Sequence, residues 1–131
     1  MLGQYWGYST RIARGLAEAL DSCPHSNNGA YDLRIGTSER GAVFGGATGM
    51  GTVTKLPPFR HALIVFGGPL GLEACAAKDP SLAACDSVEW LFDLYLNTCP
   101  QQGSRTIRTE EAVLISLGML QHAVRQAGEG Q

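Results

Sequence analysis

Asn97-Thr98-Cys99-Pro100-Gln101-Gln102-Gly103-Ser104-Arg105-Thr106-Ile107-Arg108-Thr109-Glu110-Glu111-Ala112 is a polar stretch between two apolar ones. Leu91-Phe92-Asp93-Leu94-Tyr95-Leu96 leads into it, and a segment of helical periodicity, Glu110 to Gln126, leaves it. The stretch has little aliphatic bulk. Its amides, hydroxyls and two arginines exceed what a chain reversal needs. Polar residues between a buried strand and a helix N-terminus stand where α/β proteins bind ligands. The pattern therefore predicts strand, loop and helix in succession, with the loop forming half of a cofactor site.

Working outward, Thr109 is the expected helix N-cap, with Glu110 and Glu111 in the first turn where the helix dipole favours carboxylates. Val113, Leu114, Leu117, Leu120 and Val124 form the expected core face. Upstream, His61-Ala62-Leu63-Ile64-Val65-Phe66 is a continuous apolar run, as in a strand buried on both sides. Gly67-Gly68-Pro69-Leu70-Gly71 follows, and Leu70 to Lys78 is compatible with a helix. Tyr31 to Thr37 alternates as a strand does, and Ser38-Glu39-Arg40-Gly41 interrupts it. Ile12, Leu16, Ala19 and Leu20 place Ser9 to Ser22 on an amphipathic helix that ends at Cys23-Pro24. The order helix, strand, strand, helix, strand, helix indicates an α/β fold with a mainly parallel sheet in one domain.

At 131 residues, 44% hydrophobic, the chain is long enough to bury one core. Only 17% of residues are charged and the formal net charge is −2, so no polybasic tail offers nucleic acid a general hold. No run approaches the ~20 apolar residues of a membrane span. Cys23, Cys75, Cys85 and Cys99 show neither a CxxC pair nor metal-ligand spacing with histidine, so no metal is expected. Idle reduced thiols indicate an intracellular setting.

Two junctions are candidates for chemistry. Adjacent glycines at Gly67-Gly68 let a ligand approach the backbone, or else serve a tight turn. The stretch is not GxGxxG, and Gly45 to Gly51 lacks the Gly-Lys-Ser/Thr of a phosphate loop. In the second junction, Arg105 and Arg108 either face one groove suited to phosphate or carboxylate, or pair with Glu110, Glu111 or Asp93. His25, His61 and His122 form no pattern with a serine and a carboxylate, which disfavours a hydrolase. Group transfer from an activated donor remains permitted, since it depends mainly on positioning.

Several motifs together resemble one family: Tyr5-Trp6-Gly7-Tyr8, Ile35-Gly36-Thr37-Ser38-Glu39-Arg40-Gly41, Phe59-Arg60-His61-Ala62, Val65-Phe66-Gly67-Gly68, Gly71-Leu72-Glu73, and the long Phe92–Ala112 motif. The chain is similar to the C-terminal part of the SPOUT-class RNA methyltransferases, in the eukaryotic and archaeal branch with a centromere-associated human member. That resemblance implies a deep trefoil knot of the C-terminal strands and helix, S-adenosylmethionine as cofactor, and a homodimer. It implies methylation of uridine N3 in large-subunit ribosomal RNA. A nuclear, nucleolar or cytoplasmic location is implied too, with spindle or kinetochore association in animals. By motif, Arg40, Gly67, Asn97 and Thr98 correspond to cofactor contacts, with Gly68 and Ile107 beside them, and Arg105 and Arg108 to the active site. Family members are longer, so residues 1–131 are expected to be the knotted C-terminal part of the domain. An earlier half and an OB-like insertion are expected to be absent. The alternative in another functional class is a non-catalytic binding module that keeps the cofactor fold.

Overall fold

A computed structural model describes residues 10–24, 26, 28–44, 53, 55–67, 71–82, 87–99 and 107–129, the side chains of Glu39 and Glu129 excepted. The elements are α1 (Leu16–Leu20), β1 (Leu33–Val43), β2 (Ala62–Val65), α2 (Gly71–Ala77), β3 (Leu94–Asn97) and α3 (Thr109–Glu129). Short 3-10 turns lie at Pro80–Leu82 and Val88–Leu91. The expected element order and the parallel sheet are both present. The three strands are ordered β2-β1-β3, and both pairings are parallel.

Side-chain alternation divides the sheet between two cores. Leu33 and Ile35 of β1, Ala62 and Ile64 of β2, and Leu94 and Leu96 of β3 pack with Leu120, Ala123 and Ala127 of α3. On the other face, Leu63, Val65 and Tyr95 pack with Leu16 and Leu20 of α1, Leu72 of α2, and Phe92. The result is a helix–sheet–helix sandwich. Burial of each large aliphatic such as Leu33, Ile35 or Leu96 is worth ~1.5–3 kcal/mol.

Three expectations are corrected. β2 is half-buried rather than buried on both faces, because it lies at the margin of the described sheet with β1 in the centre. α1 spans Leu16–Leu20 only, and Ile12 is 95% exposed. Its start is fixed by a distant carboxylate: Asp79 Oδ2 accepts the Ala17 N–H at 2.9 Å, while Gly15 before it is fully extended. The Ala17 N–H, followed by that of Ser81, holds the Asp79 carboxyl below its usual range. Third, α3 buries Ser116, Leu120, Ala123 and Ala127, not Leu114 and Leu117. Small residues let the helix sit close to the sheet. Leu114 (76% exposed) and Leu117 (48%) are left on the outer side.

β1 does not end at Thr37. Thr37 and Ala42 both stand opposite Leu96, so Ser38–Gly41 is an excursion between two paired segments. The backbone stays extended, while the break expected at Ser38-Glu39-Arg40-Gly41 appears as a shift in pairing.

Candidate functional site

The C-terminal ends of the parallel strands meet the N-terminus of α3. Thr37, at the end of the first paired segment of β1, donates its hydroxyl to the Val65 carbonyl at 2.8 Å, joining β1 to β2. Gly67 follows two residues later. A Cβ there would collide with the backbone of Gly71 and Leu72, so only glycine permits this close turn into α2. The Gly67 carbonyl accepts the Thr109 hydroxyl at 3.0 Å. This bond brings together the two junctions that the sequence singled out, 42 residues apart.

Thr109 is consequently not the N-cap. Arg108 takes that place: its carbonyl accepts the Ala112 N–H at 2.9 Å, and its own N–H reaches Glu111 Oε1 at 3.1 Å. That second bond is half of a capping box. Arg108 is exposed, and its main chain, not its guanidinium, meets Glu111. Asp93 bonds to β1 instead, its Oδ2 accepting the Arg34 N–H at 2.8 Å.

At the end of β3, Asn97 Oδ1 accepts the Cys99 N–H at 3.0 Å, a side-chain-to-backbone turn that bends the chain away from the sheet. The Asn97 carbonyl accepts the Phe44 N–H at 3.0 Å, beyond the β1 excursion. Thr98 is buried with its hydroxyl 2.6 Å from that of Ser116 on α3. Its side chain thus faces the helix and is occupied there. Ile107, half-buried, precedes α3. Arg40 lies in the excursion of β1, exposed, its N–H donating to Ser38 Oγ at 3.1 Å. Gly68 and Arg105 lie outside the described residues, as do residues 100–106 in general.

A polar cluster not anticipated from the sequence adjoins Arg40. Glu73 Oε2 accepts the Tyr95 hydroxyl at 2.6 Å and the Ser38 hydroxyl at 3.3 Å. Burial is the largest influence on the Glu73 carboxyl and pushes it up. The Tyr95 hydroxyl, then the residue's own backbone N–H, the Arg40 cation and Ser38, together outweigh that and hold it below the usual carboxylate value. Burial, then the bond to Glu73, pushes the Tyr95 hydroxyl up to about 12. The available signals were a tyrosine inside an apolar strand run and a glutamate two residues after Gly71. Ser116 was equally overlooked, although a wheel places it in line with Leu120, Ala123 and Ala127.

For an adenosine-bearing cofactor, the described strand ends offer main-chain groups at Gly67 and Thr98 and one apolar side chain, Ile107; the glycine at 67 itself serves the tight turn, its Cβ space being taken by the Gly71–Leu72 backbone. Those features suit an adenine and ribose. Among the described residues, no group of three or more His, Cys, Asp or Glu could hold a metal ion. No helix among them is long and apolar enough to cross a membrane.

Comparison with known proteins gives this arrangement a context. A family described as "Putative RNA methyltransferase" matches residues 1–120. The human 28S rRNA (uridine-N(3))-methyltransferase is 54% identical over 126 residues, covering 96% of this chain and 31% of its own length. The Drosophila melanogaster 28S rRNA (uridine-N(3))-methyltransferase is 45% identical over 127 residues, covering 94% of this chain and 24% of its own length. An uncharacterised protein of Halobacterium salinarum is 35% identical over 119 residues, covering 81% of this chain and 38% of its own length. The chain spans about a third of the length of the curated relatives it matches, such as 31% of the human protein. With a family model matching residues 1–120 and these relatives, the chain belongs to this RNA methyltransferase family.

Proposed function

We propose that the chain supplies the S-adenosylmethionine-binding half of an RNA methyltransferase that acts on uridine N3 in large-subunit ribosomal RNA. The observation that carries this reading is the pairing of the Gly67 and Thr98 strand ends with α3, through Thr109 at 3.0 Å and Ser116 at 2.6 Å. Ligands of open parallel sheets bind at such strand ends. The names of the human and fly relatives support the substrate class. When bound, S-adenosylmethionine supplies a methyl group already activated by its sulfonium. In the proposed roles, Gly67 and Gly68 admit the cofactor to the backbone, and the main chains of Thr98 and Ile107 bind it. Asn97 shapes the turn and Arg40 borders the pocket. Arg105 and Arg108 hold RNA phosphate or orient the base. The proposed architecture includes the deep trefoil knot of the SPOUT class, and the proposed setting is intracellular, which imaging of the tagged protein checks.

Calorimetry of the folded chain with S-adenosylhomocysteine decides the cofactor reading, and an absence of heat at millimolar ligand refutes it. Replacing Arg105 is expected to impair methyl transfer more than cofactor binding.

The proposal includes a homodimer. Gly118 supports it: among the described residues a Cβ there would meet nothing within 4 Å, yet a helical glycine costs ~0.5–1 kcal/mol relative to alanine. It lies on α3 beside the exposed Leu114, Leu117 and Met119. Light scattering gives the test. Gly118→Ala stabilises a monomer but weakens a dimer packed at this glycine, and an unchanged mass for both proteins at the monomer value excludes the dimer. The same exposed stripe, with Trp90 at 78% exposure, also suits a non-catalytic docking module, which would bind cofactor but transfer no methyl group to ribosomal RNA.

A further inference from the structure

The Ser38–Gly41 excursion has no partners in the sheet register, because pairing passes from Thr37 to Ala42 at the same residue, Leu96. Something else must fix its shape. Thr37 secures the start by its 2.8 Å bond to the Val65 carbonyl. At the far end Gly41 lies against the backbone of Tyr95 and Leu96, where a Cβ would come within 2.6 Å of the Tyr95 carbonyl oxygen. Between these anchors the Ser38 hydroxyl accepts the Arg40 N–H at 3.1 Å and donates to Glu73 Oε2 at 3.3 Å. Tyr95 of β3 donates to the same carboxylate oxygen at 2.6 Å. A single atom on α2 therefore ties β3 to the first residue of the excursion, and through the Ser38 hydroxyl to the Arg40 N–H. The Tyr95 bond, at 2.6 Å, has the length of a strong hydroxyl–carboxylate bond, and the Ser38 bond, at 3.3 Å, is longer and weaker.

We propose that Glu73 is a positioning residue: the Tyr95–Glu73–Ser38 chain of hydrogen bonds fixes the β1 excursion and with it the place of Arg40 beside the cofactor. The inference rests on the cofactor reading above and extends it to a residue that need not touch the ligand. Its carboxylate serves twice, as acceptor for the two hydroxyls and as an anion in electrostatic attraction with the Arg40 cation. The amide of Glu73→Gln preserves an oxygen acceptor and removes the charge, so the two services are separable.

The test uses Glu73→Gln, Glu73→Ala and Tyr95→Phe in the 131-residue chain, with S-adenosylhomocysteine as probe. Three quantities are read: melting temperature, dissociation constant, and hydrogen exchange at the Arg40 amide. Glu73→Gln is expected to keep most of the melting temperature that Glu73→Ala loses, to weaken binding about three- to tenfold, and to speed Arg40 exchange by a similar factor. Tyr95→Phe, which leaves the carboxylate in place, shifts binding and exchange in the same direction by a smaller factor and carries the test should Glu73→Ala unfold. Wild-type affinity and exchange in Glu73→Gln overturn the positioning role while leaving the cofactor reading intact. A loss of affinity that merely tracks stability across the variants also overturns it. An unmutated folded chain that takes up no ligand refutes the cofactor reading, and the positioning role with it.

Discussion

The two faces of the sheet do different work. The α3 face is mostly dry: Leu33, Ile35, Phe44, Leu56, Leu96, Leu120, Ala123 and Ala127 form one buried cluster, and the Thr98–Ser116 pair is its polar inclusion. The α1 and α2 face has a smaller buried cluster, Leu20, Leu72 and Phe92. Its polar bonds are denser: Arg34 reaches the Leu20 carbonyl at 3.0 Å and Asp21 Oδ1 at 2.8 Å, and Glu73 gathers Tyr95 and Ser38. One face supplies stability by area. The other orders the loops that border the candidate site.

Substitutions on the two faces should therefore separate stability from binding. The largest effect is expected for Leu120→Ala, which empties a fully buried position and costs ~2–5 kcal/mol in chemical denaturation. Cofactor affinity in the fraction still folded should change little. A specific loss of affinity at preserved stability would break the division between the faces. Ser116→Ala comes next. It leaves the buried Thr98 hydroxyl without its partner and costs ~1–2 kcal/mol, and Thr98→Val/Ser116→Ala should recover part of that. Failure of the double variant to recover would show that the pair matters for more than mutual satisfaction.

The smallest effect concerns pH and lies on the other face. Tyr95 has its folded-state value raised from 10.0 to about 12, so its contribution is intact below 10.0 and is lost as pH rises toward 12. Glu73 has the opposite sign: its value is lowered, so its contribution is present above the ordinary 4.5 and fades as pH falls through the lowered value. The melting temperature should be flat between roughly pH 6 and 9 as far as these groups are concerned, and fall above pH 10. Tyr95→Phe should flatten the alkaline limb, and an unaltered limb in that variant would remove the Tyr95–Glu73 bond from the account.

The fold was legible where one physical pattern dominated. The continuous run His61–Phe66, the alternation over Tyr31–Thr37 and the long periodicity of α3 each located an element. α3 also shows where legibility ended. Its apolar residues cover more than one face, so periodicity found the helix but chose Leu114 and Leu117 over the small residues that fit the sheet. The start of α1 was hidden because its cap, Asp79, comes from 62 residues away from Ala17. Of the candidate site, the tight turn at Gly67 was one of two readings its adjacent glycines allowed, while the turn that Asn97 makes with the Cys99 N–H went unread. Glu73 was not legible, because its importance arises only when β1, α2 and β3 converge. The family resemblance, reached from motif residues, agrees with the match over residues 1–120.

The double use of Leu96 has a further consequence. Inward positions are odd-numbered before the excursion, at Leu33 and Ile35 of β1, and even-numbered after it, at Phe44 just beyond the end of the strand. A continuous strand would have to preserve that parity, and a single added residue would turn its far end inside out. Here the partner strand resets the alignment on either side, so length is decoupled from orientation. The Ser38–Gly41 segment thus stands outside the alternation of the sheet: its own hydrogen bonds decide where its side chains point, while the sheet beneath stays in step.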